Sequence, residues 1–127
     1  MNPEVKTKWL EALRSGNYKQ GQNYLHRGND EFCCLGVLCD LAVQEGVVGR
    51  TFDPDVDGGG AWVYQDAEVR YSPSDALLPA PVVEWAGLDH INPEVPTPDS
   101  DGTEALSALN DTGKSFGHIA QLIEVYY

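Results

Sequence analysis

The chain has 127 residues, 42% of them hydrophobic, and sets eight Lys and Arg against twenty Asp and Glu for a formal charge of −12. That length suits one domain around one core, and the acidity argues against duplex DNA as a partner, because nucleic-acid binders show an extended basic footprint. No run of about 18 apolar residues is present, which excludes a membrane-spanning helix.

The start, Met1-Asn2-Pro3-Glu4, is polar and lacks an apolar h-region, so no secretory signal is expected. Asn2 can cap a first helix, Pro3 suits its first position, and Glu4 complements its dipole. Val5, Trp9, Ala12 and Leu13 keep helical spacing, with Leu10 beside them, until Ser15-Gly16 stops the run. Between Asn17 and Phe32 the text changes. Tyr18, Tyr24 and Phe32 alternate with Gly21, Gly28 and Asn29-Asp30, which predicts one or two short strands with turns.

The most apolar stretch runs from Phe32 to Val43. Cys34, Leu35, Leu38, Leu41 and Ala42 recur at helical spacing and Gly46 ends the run, predicting a central buried helix over 34–45 with Asp30 or Glu31 near its positive end. Residues 47–60 read as loop. Residues 61–65 and 68–71 read as a hairpin across Asp66-Ala67, a turn without the preferred Asn-Gly or Asp-Gly. Pro79, Pro81, Val82, Val83 and Trp85 predict a short helix from Pro81 to a Gly87 cap. Pro93, Pro96 and Pro98 make 88–102 an irregular connection. Leu106 and Leu109 fit one short helix, and Ser115 caps a last one striped by Phe116, Ile119, Ala120 and Ile123. Trp9 and Trp85 fit apolar faces and are expected in the core. The fold class is α+β, a single domain over 1–127: a small, mainly antiparallel sheet packed against the central helix and the N- and C-terminal helices.

The charge is uneven along this chain. Lys6, Lys8, Arg14, Lys19 and Arg27 all precede Asn29, with only Glu4 and Glu11 among them, so residues 1–28 carry +3 and the remaining 99 carry −15. Coulomb steering follows local charge rather than the total, so an anion, if one is held, belongs with this segment. A helix N-terminus with free amides binds phosphate, and Lys19 and Arg27 beside the start of the central helix would add charge. Tyr18 or Trp62 could stack on a base and Gln20 could read an edge. Gly36 would let an anion or another backbone approach closely. Arg14 is a second-tier candidate, and His26 is the histidine nearest the basic segment. The ordinary account is a solvated face with Tyr18 packed in the core.

Cys33, Cys34 and Cys39 are odd in number and suit a reducing cytoplasm better than a disulfide framework. A thiol at a helix N-terminus could be a nucleophile with His26, His90 or His118, but small buried thiols are commoner and the spacing fits no zinc site. Asp53-Pro-Asp55-Val-Asp57-Gly58 imitates the start of a calcium loop, then fails where Gly60 and Tyr64 replace the apolar residue and the bidentate Glu. A polar surface loop is the plainer reading, and Gly58-Gly59-Gly60 would suit a segment that closes over a ligand. No metal or cofactor is expected.

KWLEALRSGNYKQ (8–20) followed by FCCLGVLCDL (32–41) resembles a family of small proteins encoded by phages and prophages. The likeness continues more softly through Leu78-Pro79, residues 83–88, and LNDTG (109–113). The resemblance implies a phage accessory protein in the host cell cytoplasm. By analogy with phage proteins that hold an immune signal, it implies a homo-oligomeric, non-enzymatic binder of a cyclic nucleotide or ADP-ribose-type ligand. Two other readings stand beside it. One is a phosphoesterase with His26 and Tyr18 or Lys19 as its acid and base. The other is an acidic inhibitor that docks on a basic host protein without a small-molecule ligand.

Overall fold

Asn2 turns its side chain onto the following backbone, where Oδ1 accepts from the Glu4 amide at 3.0 Å, and this cap starts α1 (Pro3–Arg14). The computed structural model describes residues 1–56, 58–65, 76–98 and 101–127. After α1 come β1 (Lys19–Gln20), β2 (Glu31–Phe32), α2 (Cys34–Gln44), β3 (Gly49–Asp53) and β4 (Ala61–Gln65). Then follow α3 (Ala80–Ala86), β5 (Glu94–Pro96), β6 (Thr103–Ala105), α4 (Leu106–Asp111) and α5 (Phe116–Tyr126). The fold is α+β, as the sequence predicts. Its strands form separate two-stranded ladders rather than one sheet: β3–β4 and β5–β6 are antiparallel, and β1–β2 is a parallel pair of two residues each.

The centre is α2. Cys34 through Cys39 are all buried, so its first turns have no polar face, and a helix apolar all round must be enclosed. α1, α3 and α4 enclose it, while α5 packs on α1 and α4. Trp9 is fully buried, and its indole Nε1 donates to the Cys34 carbonyl at 3.0 Å, so its one polar atom is satisfied inside the core. Trp85 is half-buried against the same cluster. The close approach that Gly36 permits is to another backbone. A Cβ there would lie 1.7 Å from the Leu25 carbonyl oxygen, which itself accepts from the Cys33 amide at 3.1 Å.

Two loop assignments are corrected. Residues 47–60 contain β3, whose residues 49–52 are exposed, so no apolar alternation marks it in the sequence. Residues 88–102 contain β5, of which only Val95 is buried. The strand expected at 68–71 and its turn at Asp66-Ala67 lie outside the described residues, and the strand paired with β4 is β3, with Phe52 opposite Trp62. The Gly87 and Ser115 caps are where the sequence puts them: Gly87 at φ +70°, and Ser115 Oγ accepting from the His118 amide at 3.1 Å.

Candidate functional site

Residues 26–32 fold into a tight hairpin. The Arg27 amide donates to the Glu31 carbonyl at 2.7 Å and the Asp30 amide to the Arg27 carbonyl at 3.0 Å. Asp30 sits at φ +62°, a left-handed conformation that Asp and Asn tolerate better than most residues. The hairpin's first arm lies along the free edge of β4, with the Trp62 amide donating to the His26 carbonyl at 2.8 Å and the Gly28 amide to Gly60 at 2.9 Å. Its second arm runs into β2 beside β1. A Cβ at Gly21 would stand 2.6 Å from the Glu31 Cβ, so these chains meet closely only because position 21 has no side chain.

This arrangement leaves a cleft of about 520 Å³ between residues 20–23, the hairpin and the end of α4. Its lining is dominated by amides (Gln20, Gln22, Asn23, Asn29 and Asn110), with Arg27 as the lining cation and Glu31 as the lining acid. The volume lies within the range of small-molecule pockets, but the lining is far more polar than most. Arg27 spends Nη1 on the Gln22 carbonyl at 3.1 Å and holds its guanidinium 5.4 Å from the centre of the Tyr24 ring. Glu31 accepts from Asn29 at 2.7 Å and faces Lys19 at 3.5 Å, and both contacts help hold its carboxyl below the usual range, the Asn29 bond most.

The floor is Asn110, which is fully buried and fully bonded. Its Oδ1 accepts from Gln20 Nε2 at 2.9 Å and from the Cys34 amide at 3.2 Å, while Nδ2 donates to the Gly21 carbonyl at 2.7 Å. Neighbouring Asp111 accepts from the Asn23 amide at 2.9 Å. Sequence reading missed Asn110 as a site residue. The available signal was spacing: Asn110 continues the i, i+3, i+4 stripe of Leu106 and Leu109, and an amide on such a face must be paired when buried.

The seven residues expected to bind ligand are not brought together. Gln20 and Arg27 line the cleft, and Lys19 stands outside the lining with its side chain 74% exposed. Arg14 pairs with Glu124 at 2.5 Å, on the α1–α5 side. Tyr18 borders a different groove, between α1 and α2. Its hydroxyl donates to Asp40 at 2.5 Å, and burial pushes its phenol up to about 12. Trp62 has Arg50 4.6 Å above its ring and His26 stacked at 5.6 Å, so its aromatic faces are taken. His26 is buried, between Phe32 and Trp62.

The expected phosphate site at the start of the central helix is closed. The Cys34 amide is bonded to Asn110 and the Gly36 amide to Cys33 Sγ at 3.4 Å, and Cys33 and Cys34 are both buried. The cations do not converge there either, because α1 turns Lys6 and Arg14 toward α5 and Lys8 toward Glu45.

A family model matches residues 1–127, the whole chain. The chain belongs to the DUF8296 family, a domain of unknown function. No curated protein and no solved structure matches it.

In this member of DUF8296 the three cysteines are free thiols inside the core. Burial pushes Cys33 up to about 11, and Cys34 and Cys39 well above the ordinary thiol value, the opposite of what a nucleophile requires. Among the described residues no group of three or more His, Cys, Asp or Glu is placed to hold a metal ion. Asp53 accepts from the Asp55 amide at 2.9 Å, a local turn, and Asp57 lies outside the described residues. Gly58, Gly59 and Gly60 stand at φ of 84°, 98° and 84°, so their composition serves the backbone geometry of the β3–β4 connection.

Proposed function

We propose that this chain is a binding protein that holds a small phosphate-bearing nucleotide in the amide-lined cleft. In line with its resemblance to phage-encoded proteins, the ligand is an immune signal of cyclic-nucleotide or ADP-ribose type, withdrawn from a host defence system. The observation that carries this reading is Arg27, which among the described residues keeps guanidinium donors unspent in a cleft lined mainly by amides, with Glu31 as its one acid. A guanidinium fork suits phosphate, and amides with both donors and acceptors suit the edges of bases and ribose. Binding without turnover is favoured because the histidine nearest the cleft, His26, is sealed inside the hairpin, where no substrate atom comes within proton-transfer reach. A second protomer covering the open side of the cleft belongs to the same reading.

Purified protein incubated with cyclic nucleotides and with ADP-ribose should retain one of them and return it intact on heating. Arg27→Glu should abolish that retention in titration calorimetry while leaving the circular dichroism unchanged. Equal affinity in both proteins would overturn the site, and a cleaved product would replace the binder with an enzyme.

A second reading, an acidic protein that docks on a basic host surface, is favoured by one observation. Lys6, Lys8, Arg14 and Lys19 are all engaged by acids or carbonyls of this chain, so they form no free basic patch on a chain whose net charge is −12. Its mark is partner binding that weakens steeply with salt and needs no nucleotide.

A further inference from the structure

The cleft's cation sits one residue after a histidine that the fold has walled in. His26 is 1% exposed, with its ring stacked on Phe32 at 3.9 Å and on Trp62 at 5.6 Å. Both ring nitrogens are used: Nε2 lies 2.8 Å from Asp30 Oδ1 and Nδ1 3.0 Å from the Tyr64 hydroxyl. Asp30 and His26 are opposite ends of the turn that carries Arg27, so the side-chain contact closes the same loop as the backbone bonds. We propose that His26 is a positioning residue for Arg27: neutral, it clamps the 26–32 hairpin from inside, and its protonation releases the turn that holds the cleft's cation.

The hydrogen-bond inventory gives the mechanism. Burial pushes the Tyr64 phenol upward, so it stays protonated and donates to Nδ1, while Nε2–H donates to the Asp30 carboxylate. An imidazolium donates from both nitrogens, so Tyr64 must turn its proton away from Nδ1. The new charge would also lie between two aromatic rings with no access to water. The charged groups that face the ring are Asp30 on the hairpin, Arg50 on β3 and Asp40 on α2, and the last two lie 3.5 Å from each other. Burial outweighs the Asp30 carboxylate, so the closed hairpin binds the proton less readily than an open one would.

The sign follows from that inequality. The clamp is intact above the ordinary histidine value of 6.5 and weakens as pH falls from there toward the lower value of the closed form. Across that window the opening equilibrium rises by up to about tenfold per pH unit. The inference uses the cleft reading only for what Arg27 binds, and its test contains no ligand, so either can fail alone.

The test is amide hydrogen exchange on the ligand-free chain from about pH 7.5 to pH 4.5, across the histidine range, expressed as protection relative to intrinsic exchange. Protection at Arg27, Gly28, Asp30 and Trp62 should begin to fall below about pH 6.5, toward tenfold per unit, while the α2 amides hold. His26→Gln should abolish the fall. Asp30 is 81% exposed at a left-handed position that Asn also accepts, so Asp30→Asn will fold. It removes the carboxylate that favours the imidazolium in the closed form and should extend the fall to lower pH. Hairpin protection that tracks α2 at every pH, a fall that persists in His26→Gln, or an Asp30→Asn profile superimposable on the wild type would overturn the proposal.

Discussion

Gly36→Ala tests whether the central helix is seated by a backbone contact. The new Cβ would meet the Leu25 carbonyl oxygen at 1.7 Å and its carbon at 2.5 Å, where ordinary contact begins at 3.4 Å, so the two backbones must part by about 1.7 Å. Neither side gives easily, because Leu25 and Gly36 are both buried and the Leu25 carbonyl also accepts from Cys33. Ala in place of Gly favours the helix by about 1 kcal/mol. Against this stand overpacking, about 3 kcal/mol for a rigid neighbour, and a strained or lost buried hydrogen bond, about 1 kcal/mol. The net expectation is destabilisation by about 3 kcal/mol, or a urea midpoint about 1.5 M lower for a slope near 2 kcal/mol/M. Leu25 leads into His26 and Arg27, so the same substitution should also loosen the cleft wall. A midpoint within about 0.3 M of the wild type would refute the claim that Gly36 is selected by this contact.

Asn110→Ala leaves the Cys34 amide and the Gly21 carbonyl unpaired in a buried floor, so it should cost about 3 kcal/mol in equilibrium unfolding. Asn110→Asp, which sets a buried carboxylate oxygen against the Gly21 carbonyl and the Asp111 carboxylate where Nδ2 donates, should cost at least as much as Ala at neutral pH. The buried thiols should resist an aromatic disulfide reagent in the native state and react in full only in denaturant. A fast stoichiometric phase at neutral pH would show that the core opens at α2.

How much of this was legible follows from where each signal resides. α1, α2, α3 and α5 announced themselves because cap and stripe lie within one short window: Asn2 with Val5 and Trp9, Ser115 with Ile119 and Ile123. β3 and β5 did not, because β3 has no buried residue and β5 has only Val95, too few buried positions to alternate. The parallel pairing of Lys19 with Glu31 was illegible too, since it depends on the hairpin that brings the chain back.

Of the seven residues expected to bind ligand, the structure brings only Gln20 and Arg27 to the cleft, for an electrostatic reason. Five cations clustered in sequence suggested a positive surface, but sequence neighbours on a helix point in different directions. Three of the five pair with an acid elsewhere in the chain: Arg14 with Glu124, Lys8 with Glu45, Lys19 with Glu31. A run of charge predicts a field only when its counter-charges stay away, and α1 lies against α5. What remains at the cleft is Arg27 opposed by Glu31, close to neutral, over a floor of amides. On the proposed reading, recognition there would rest on matching donors to acceptors, with a single guanidinium selecting the anionic group. That discriminates by geometry: a ligand lacking the right edge leaves these amides unpaired, which costs more than a weakened ion pair in water would.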